Sequence, residues 1–358
     1  MQVRISRLFG ALALAVAVCA LSMIRVAHAN GEAINGFPNW SERVMLEWVN
    51  RARSDPQADL ANCAASNGQC FEKACYATAS PPRYMIDDLN HSSRFHSAHL
   101  MSNGYFDHPS HCTLKTNIDS LYPATCNGAA SCSCTQGKLT TDTTTWTGPG
   151  TRIGYFGQGG SSWSEIIAAG YQGPDEMFYA WLYEPASTNT CGFHTNDDNG
   201  HRFIILYNGY GENAGAGYTT GGSYGTYATM DFAGTAPAHP KIPSGAHYPE
   251  QAASVDAWAN WYDTAGPKSA KINVDGVCSD LSLARGTVKN GAWHATVSGV
   301  GTGCHRYAFS FVDSGGQSVL YPSTGSLGIG NGSAQCPDWS STPVNACSDA
   351  IFASGFEP

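Results

Sequence analysis

The apolar positions of this chain change their spacing several times, and each change predicts an element. Over 41–53 they recur at helical spacing. Val44, Met45, Trp48, Val49 and Ala52 share one face, Ser41 is placed as the N-cap, and Asp55-Pro56 is the stop. A second helix is predicted over 86–103, with Leu89, His96 and Leu100 inward, Ala98 and Met101 beside them, and Gly104 as its end. A third carries Met177, Phe178, Trp181 and Leu182 and is expected to run to Pro185. Glu184 stands in its last turn, where the helix dipole disfavours a carboxylate by about 0.3–1 kcal/mol, so a donor or cation is expected beside it. Short apolar runs follow at 163–170 and 203–206. The stretches 214–218 and 224–232 read as strands joined by a Thr-Thr-Gly-Gly-Ser turn.

Beyond 236–245, which holds Pro237, Pro240 and Pro243 and reads as a linker, the pattern becomes short strands at even spacing. They are predicted at 271–274, 281–284, 293–297, 307–312 and 318–321, with Gly-containing turns between them. This predicts a small all-β, Ig-like sandwich over 246–335, followed by a tail at 336–358. Cys278 and Cys304 are placed to tie its sheets. By contrast, 112–150 is rich in Cys, Thr, Ser and Gly, has no period, and reads as a cross-linked surface excursion.

Residues 1–29 read as a secretory signal peptide. Arg4 and Arg7 precede the apolar stretch 8–23, and Ala27-His28-Ala29 offers the cleavage site. The mature chain is then 30–358, expected to be secreted, extracellular or periplasmic. Setting Cys19 aside leaves 12 of the 13 cysteines, an even number in an oxidising compartment, which allows up to six disulfides. Of the 19 basic residues, Arg4, Arg7 and Arg25 lie in the leader, so the mature chain sets 16 bases against 28 acids, a net of −12. With no basic run, nucleic acid is not an expected partner. No other stretch is apolar enough to be a transmembrane anchor.

Four residues stand out: His108, Glu165, Glu184 and His201. Singly, such residues are more often structural or solvated than functional. Their order and surroundings are more specific. Leu46, Asn50 and Arg53 sit on the first helix, and the second carries His96-Ser97-Ala98-His99-Leu100-Met101. Then come Phe106-Asp107-His108, Ser164-Glu165-Ile166, Trp181-Leu-Tyr-Glu184, Gly200-His201-Arg202, Gly215-Ala-Gly217-Tyr218 and Asp231-Phe232. Over roughly 39–232 this order resembles the CAP superfamily: cysteine-rich secretory proteins, antigen 5 and the plant pathogenesis-related 1 proteins. Ser164 and Ile166 stand where that family has Gly and Asn around its glutamate. Gly211-Glu212-Asn213 spells the family's Gly-Glu-Asn but falls after His201, so Glu212 is read as a decoy.

The resemblance implies an α+β fold, with a CAP-type α-β-α sandwich over 30–235 and the tetrad His108, Glu165, Glu184 and His201 in one cleft. Two neutral imidazoles, His108 and His201, would bind Zn2+ or another divalent metal weakly, with the carboxylates orienting them. The function it implies is that of a secreted protein binding a lipid, a sterol or another extracellular ligand. Metal-assisted hydrolysis is the alternative, with Glu165 or Glu184 as base, although neither a Gly-x-Ser-x-Gly elbow nor His-Glu-x-x-His is present. Adhesion or glycan binding through Trp258, Trp261 and Tyr262 is another. His96 and His99 have the i, i+3 spacing of a metal pair, but the plainer reading makes His96 a packed residue and His99 a surface one.

Overall fold

In the computed structural model, residues 38–63, 70–128, 135–136, 139–160, 162–194, 199–235, 239–332 and 336–347 are described. The signal peptide and its Cys19, the Cys132-Ser-Cys134 pair and the end of the tail lie outside them.

Helix α1, Trp40–Ser54, starts from Asn39 rather than the expected Ser41. The Asn39 side chain accepts the Glu42 N–H, and the Glu42 carboxylate accepts the Asn39 N–H, closing a capping box. Its apolar residues are buried as expected, but its polar face is buried too: Glu42, Arg43, Glu47, Asn50 and Arg53 are each at most 1% exposed. The helix is therefore covered all round rather than amphipathic at a surface.

The covering on one side is a four-stranded sheet. Its strands are β1 (Tyr84–Met85), β2 (Trp163–Ala169), β3 (Asn213–Gly221) and β4 (Gly225–Ala233), in the order β1-β3-β4-β2, with only β1 and β3 parallel. Ala214 and Ala216 of β3, Met230 and Phe232 of β4 and Ile166 of β2 share a core with α1. Helices α3 (Pro174–Leu182) and α4 (Gly200–Leu206) complete that layer through Phe178, Trp181 and Ile205. Helix α3 ends at Leu182, three residues before Pro185, because Tyr183 already leaves the helical conformation.

Helix α2, Asp87–Asn103, lies on the opposite face of the sheet and ends, as expected, at Gly104, whose φ of +70° suits a glycine. It approaches β3 closely. A Cβ on Gly215 would collide with the main chain of Leu89, and one on Gly217 with that of Ser93 and Arg94. The far side of α2 is covered as well. Phe95 packs with Cys112, Leu114, Ile118, Cys126 and Phe156, all fully buried. The described part of 112–150 thus builds its own small core and is not a mere surface excursion. For the same reason His99 is fully buried rather than at the surface, stacked on Phe95 at 5.4 Å.

From Gly245 onward the described chain is all-β and contains the strands expected at 271–321 together with others. One sheet orders β5 (Gly245–Tyr248), β6 (Ser254–Tyr262), β10 (Asn290–Ser298) and β9 (Ser282–Thr287) as β5-β6-β10-β9. The other joins β14 (Trp339–Ser340), β13 (Ser326–Asn331), β11 (Gly303–Val312), β7 (Ser269–Val274) and β8 (Val277–Asp280), with β12 (Ser318–Tyr321) beside β11. Trp261 stacks on Phe311 at 5.5 Å inside this sandwich and is fully buried. It therefore cannot serve as an exposed aromatic platform. Trp258 is also committed, packed edge-on to Trp48 of α1 and under Arg51. Asn260 of β6 donates to Glu47 at 2.6 Å, so the sandwich forms the second wall around α1.

Among the described residues four disulfides form: Cys63–Cys70, Cys75–Cys191, Cys278–Cys347 and Cys304–Cys336. Cys278 and Cys304 each bind the segment after β13 rather than one another. No helix among the described residues is long and apolar enough to cross a membrane. Disulfides without such a helix are consistent with a secreted protein.

Candidate functional site

The four expected residues are arranged as two imidazole–carboxylate pairs. His108 follows α2, and Glu165 lies on edge strand β2. The His108 Nδ1–H donates to Glu165 Oε1 at 2.8 Å. Glu184 follows α3 and His201 opens α4. The His201 Nδ1–H donates to Glu184 Oε2 at 2.6 Å. This is the donor expected beside Glu184. The Arg202 backbone N–H supplies another, reaching Oε1 at 2.7 Å. Both carboxylates are buried while the imidazole side chains remain 47% and 35% exposed.

Behind each pair stands a buried arginine. Arg152, in the short helix Pro149–Ile153, ion-pairs with Glu165 Oε2 and donates to the His108 carbonyl and the Ser110 hydroxyl, both at 3.1 Å. The Ser110 hydroxyl lies 3.3 Å from His96 Nδ1, and His96 Nε2 lies 3.0 Å from the Asp107 carbonyl. Burial, reinforced by the Arg152 charge, holds the His96 imidazole well below its usual range, so it is neutral. A neutral His96 donates through Nε2 and accepts at Nδ1, so both nitrogens are spent. His99, lowered to about 4 by burial and then by Arg152, is equally enclosed. The two do not form a metal pair.

Glu165 is drawn in opposite directions. Burial pushes its carboxyl up, but Arg152, followed by His96 and His108, draws it down to about 2. Asp231, directly opposite on β4, goes the other way. Burial and then the Glu165 charge push it well above the carboxylate range. Two carboxyls pushed in opposite directions thus share the space between β2, β4 and α2.

The second arginine, Arg202, pairs with buried Glu72 at 2.6 Å and donates to the carbonyls of Leu182 at 2.9 Å and Glu184 at 2.6 Å. Disulfide Cys75–Cys191 closes a separation of 116 residues and ties the loop between Glu184 and His201 to the segment that follows Glu72. Arg152, Asp231 and Glu72 were not anticipated. Asp231 had a signal: in β4 it shares the face of Thr229, opposite Ala228, Met230 and Phe232, which places an acid on a helix-covered face. Glu212 sits apart, 3.5 Å from His239 with its side chain 46% exposed.

A groove of about 800 Å³ adjoins the second pair, lined by Phe106, Tyr171, Tyr179, Tyr183, Glu184 and His201 among others. Among the described residues no three His, Cys, Asp or Glu side chains come together to hold a metal ion.

No family model matches the chain, and no curated protein matches it. A solved structure titled "Crystal structure of Br derivative BhCBM56" aligns with 26% of this chain and 95% of its own, at 14% identity and a TM-score of 0.18. A likeness at that level carries no argument for fold or function.

Proposed function

We propose that this chain is a secreted CAP-type binding protein. In this reading His108 and His201 hold a divalent metal such as Zn2+ in one cleft, and the adjoining groove takes a small extracellular ligand. The observation that carries the reading is the state of the two imidazoles. Each commits Nδ1 to a buried carboxylate, which sets its tautomer and leaves the Nε2 lone pair for a metal. That donor chemistry fits a two-nitrogen site whose other positions belong to water or ligand. The metal would supply a Lewis-acidic anchor, and the protein supplies orientation through Glu165 and Glu184 and, behind them, Arg152 and Arg202.

For the hydrolytic alternative, Glu165 is a poor candidate base. A general base works best with a pKa near the working pH, and Glu165 is held at about 2. The test is zinc calorimetry. Binding is expected near pH 7.5 and release in acid, because protons compete with the metal for an imidazole lone pair. His108→Ala and His201→Ala should each weaken zinc strongly, Glu184→Ala less, and His96→Ala and Glu212→Ala not at all. Zinc bound by either His108→Ala or His201→Ala as tightly as by the parent would refute the shared site.

A further inference from the structure

The groove beside His201 has walls of unusual chemistry. Phe106 and Tyr171 present rings that are 42% and 39% exposed. Tyr179 and Tyr183 stand one turn apart, their ring centroids separated by 5.0 Å. Three carboxylates share these walls: Asp175, Glu176 and Glu184. Among the described residues that line the groove there is no lysine or arginine, and His201 is the one basic side chain. The guanidinium behind Tyr179 belongs to Arg51, which is buried and already paired with Asp59 at 2.8 Å. Asp175 gives one oxygen to the Trp48 indole N–H and Glu176 gives one to the Gln172 N–H, so each retains a second oxygen. Burial, followed by the neighbouring Tyr179 phenol and the Asp59 carboxylate, pushes the Tyr183 phenol up to about 12.

We infer that the groove selects a ligand carrying an organic ammonium group on an apolar body; the inference rests on reading this groove as the ligand site. Aromatic faces attract a cation through their quadrupole, and the second oxygens of Asp175 and Glu176 add direct attraction. A fatty-acid carboxylate or a phosphate would meet like charge here. A neutral sterol would gain nothing from the three acids.

The experiment uses the full chain after metal removal, titrated by calorimetry with choline, with its neutral isostere 3,3-dimethylbutan-1-ol, and with laurate. Zinc affinity is measured on the same preparations. Choline is expected to bind saturably and about ten-fold more tightly than the isostere, with laurate weakest. Glu176→Gln should weaken choline about three-fold and Tyr171→Leu about five-fold. Both sites are exposed, so neither should move the unfolding midpoint. Equal affinity for the isostere, tighter binding of laurate, or no choline uptake would each overturn the inference. Should zinc still bind in those cases, the metal cleft survives and only the ligand class falls. Loss of both removes the underlying reading as well.

Discussion

His108–Glu165 and His201–Glu184 present the same face to solvent and are supported differently. Glu165 sits under a guanidinium: Arg152 pairs with one oxygen, His108 with the other, and burial beside it pushes Asp231 on the neighbouring strand well above the carboxylate range. Glu184 has no guanidinium on its carboxylate. Its two oxygens take a backbone N–H and the His201 ring, while Arg202 spends its charge on Glu72 and on main-chain carbonyls. The first pair is held by charge inside a sheet-and-helix layer. The second is held by main-chain geometry and a disulfide. The same exposed group can thus be fixed by two unrelated means, and perturbation should separate them.

The largest effect is expected from Arg152→Met. It leaves Glu165 buried without its counter-charge, which should cost about 3–5 kcal/mol in urea unfolding. If the variant unfolds like the parent, the charge-held account of the first pair is wrong. Replacing Cys75 and Cys191 with serine should follow at about 2–5 kcal/mol, with the damage concentrated at the second pair. Hydrogen exchange at Arg202 N–H reads this directly, and equal deprotection around His108 would count against the contrast. Glu184→Gln removes a charged acceptor but keeps the shape, for an expected cost of about 1.5–3 kcal/mol. His108→Gln should cost least, under about 1 kcal/mol, because the ring is half exposed and Glu165 keeps Arg152.

The pH dependence sharpens the contrast. Glu165 lies below its ordinary 4.5, so its contribution is present above pH 4.5 and is lost as pH falls toward about 2. Glu42 and Glu47 are raised by burial to about 7 from the same ordinary value. Their contribution is complete below pH 4.5 and is lost as pH rises through 7. Stability from these groups should peak near pH 4.5. Glu47→Gln should flatten the neutral limb and leave the acid limb intact, which urea midpoints from pH 3 to 8 would show. A neutral limb unchanged by this substitution would mean that Glu47 does not titrate there.

Much of this was legible in order and spacing. Gly104 marked the end of α2, a Thr-Thr-Gly-Gly-Ser turn marked the pair β3 and β4, and even spacing marked β7, β9, β10, β11 and β12. His108, Glu165, Glu184 and His201 could be named because each stands in a recognisable local context, and the structure joins them into the two pairs. Arg152 could not be. It lies beyond a stretch without period, and nothing local distinguishes a guanidinium that will be buried under a glutamate from one that will meet water. His99 was misread for a related reason. Helical spacing shows which residues share a face, but not that a second layer will cover the opposite face.

The sequence by itself therefore determined where the chain turns, which residues share a helix face, and which imidazoles and carboxylates stand near its element ends, because these depend on neighbours a few residues apart. The tertiary structure alone decided that α1 is enclosed between a sheet and a sandwich, that Arg152 meets Glu165, and that Asp231 beside it is pushed well above the carboxylate range. These depend on burial and on charges brought together from distant parts of the chain. The free energy of a buried charge is set by what surrounds it in space, and local sequence does not specify those surroundings.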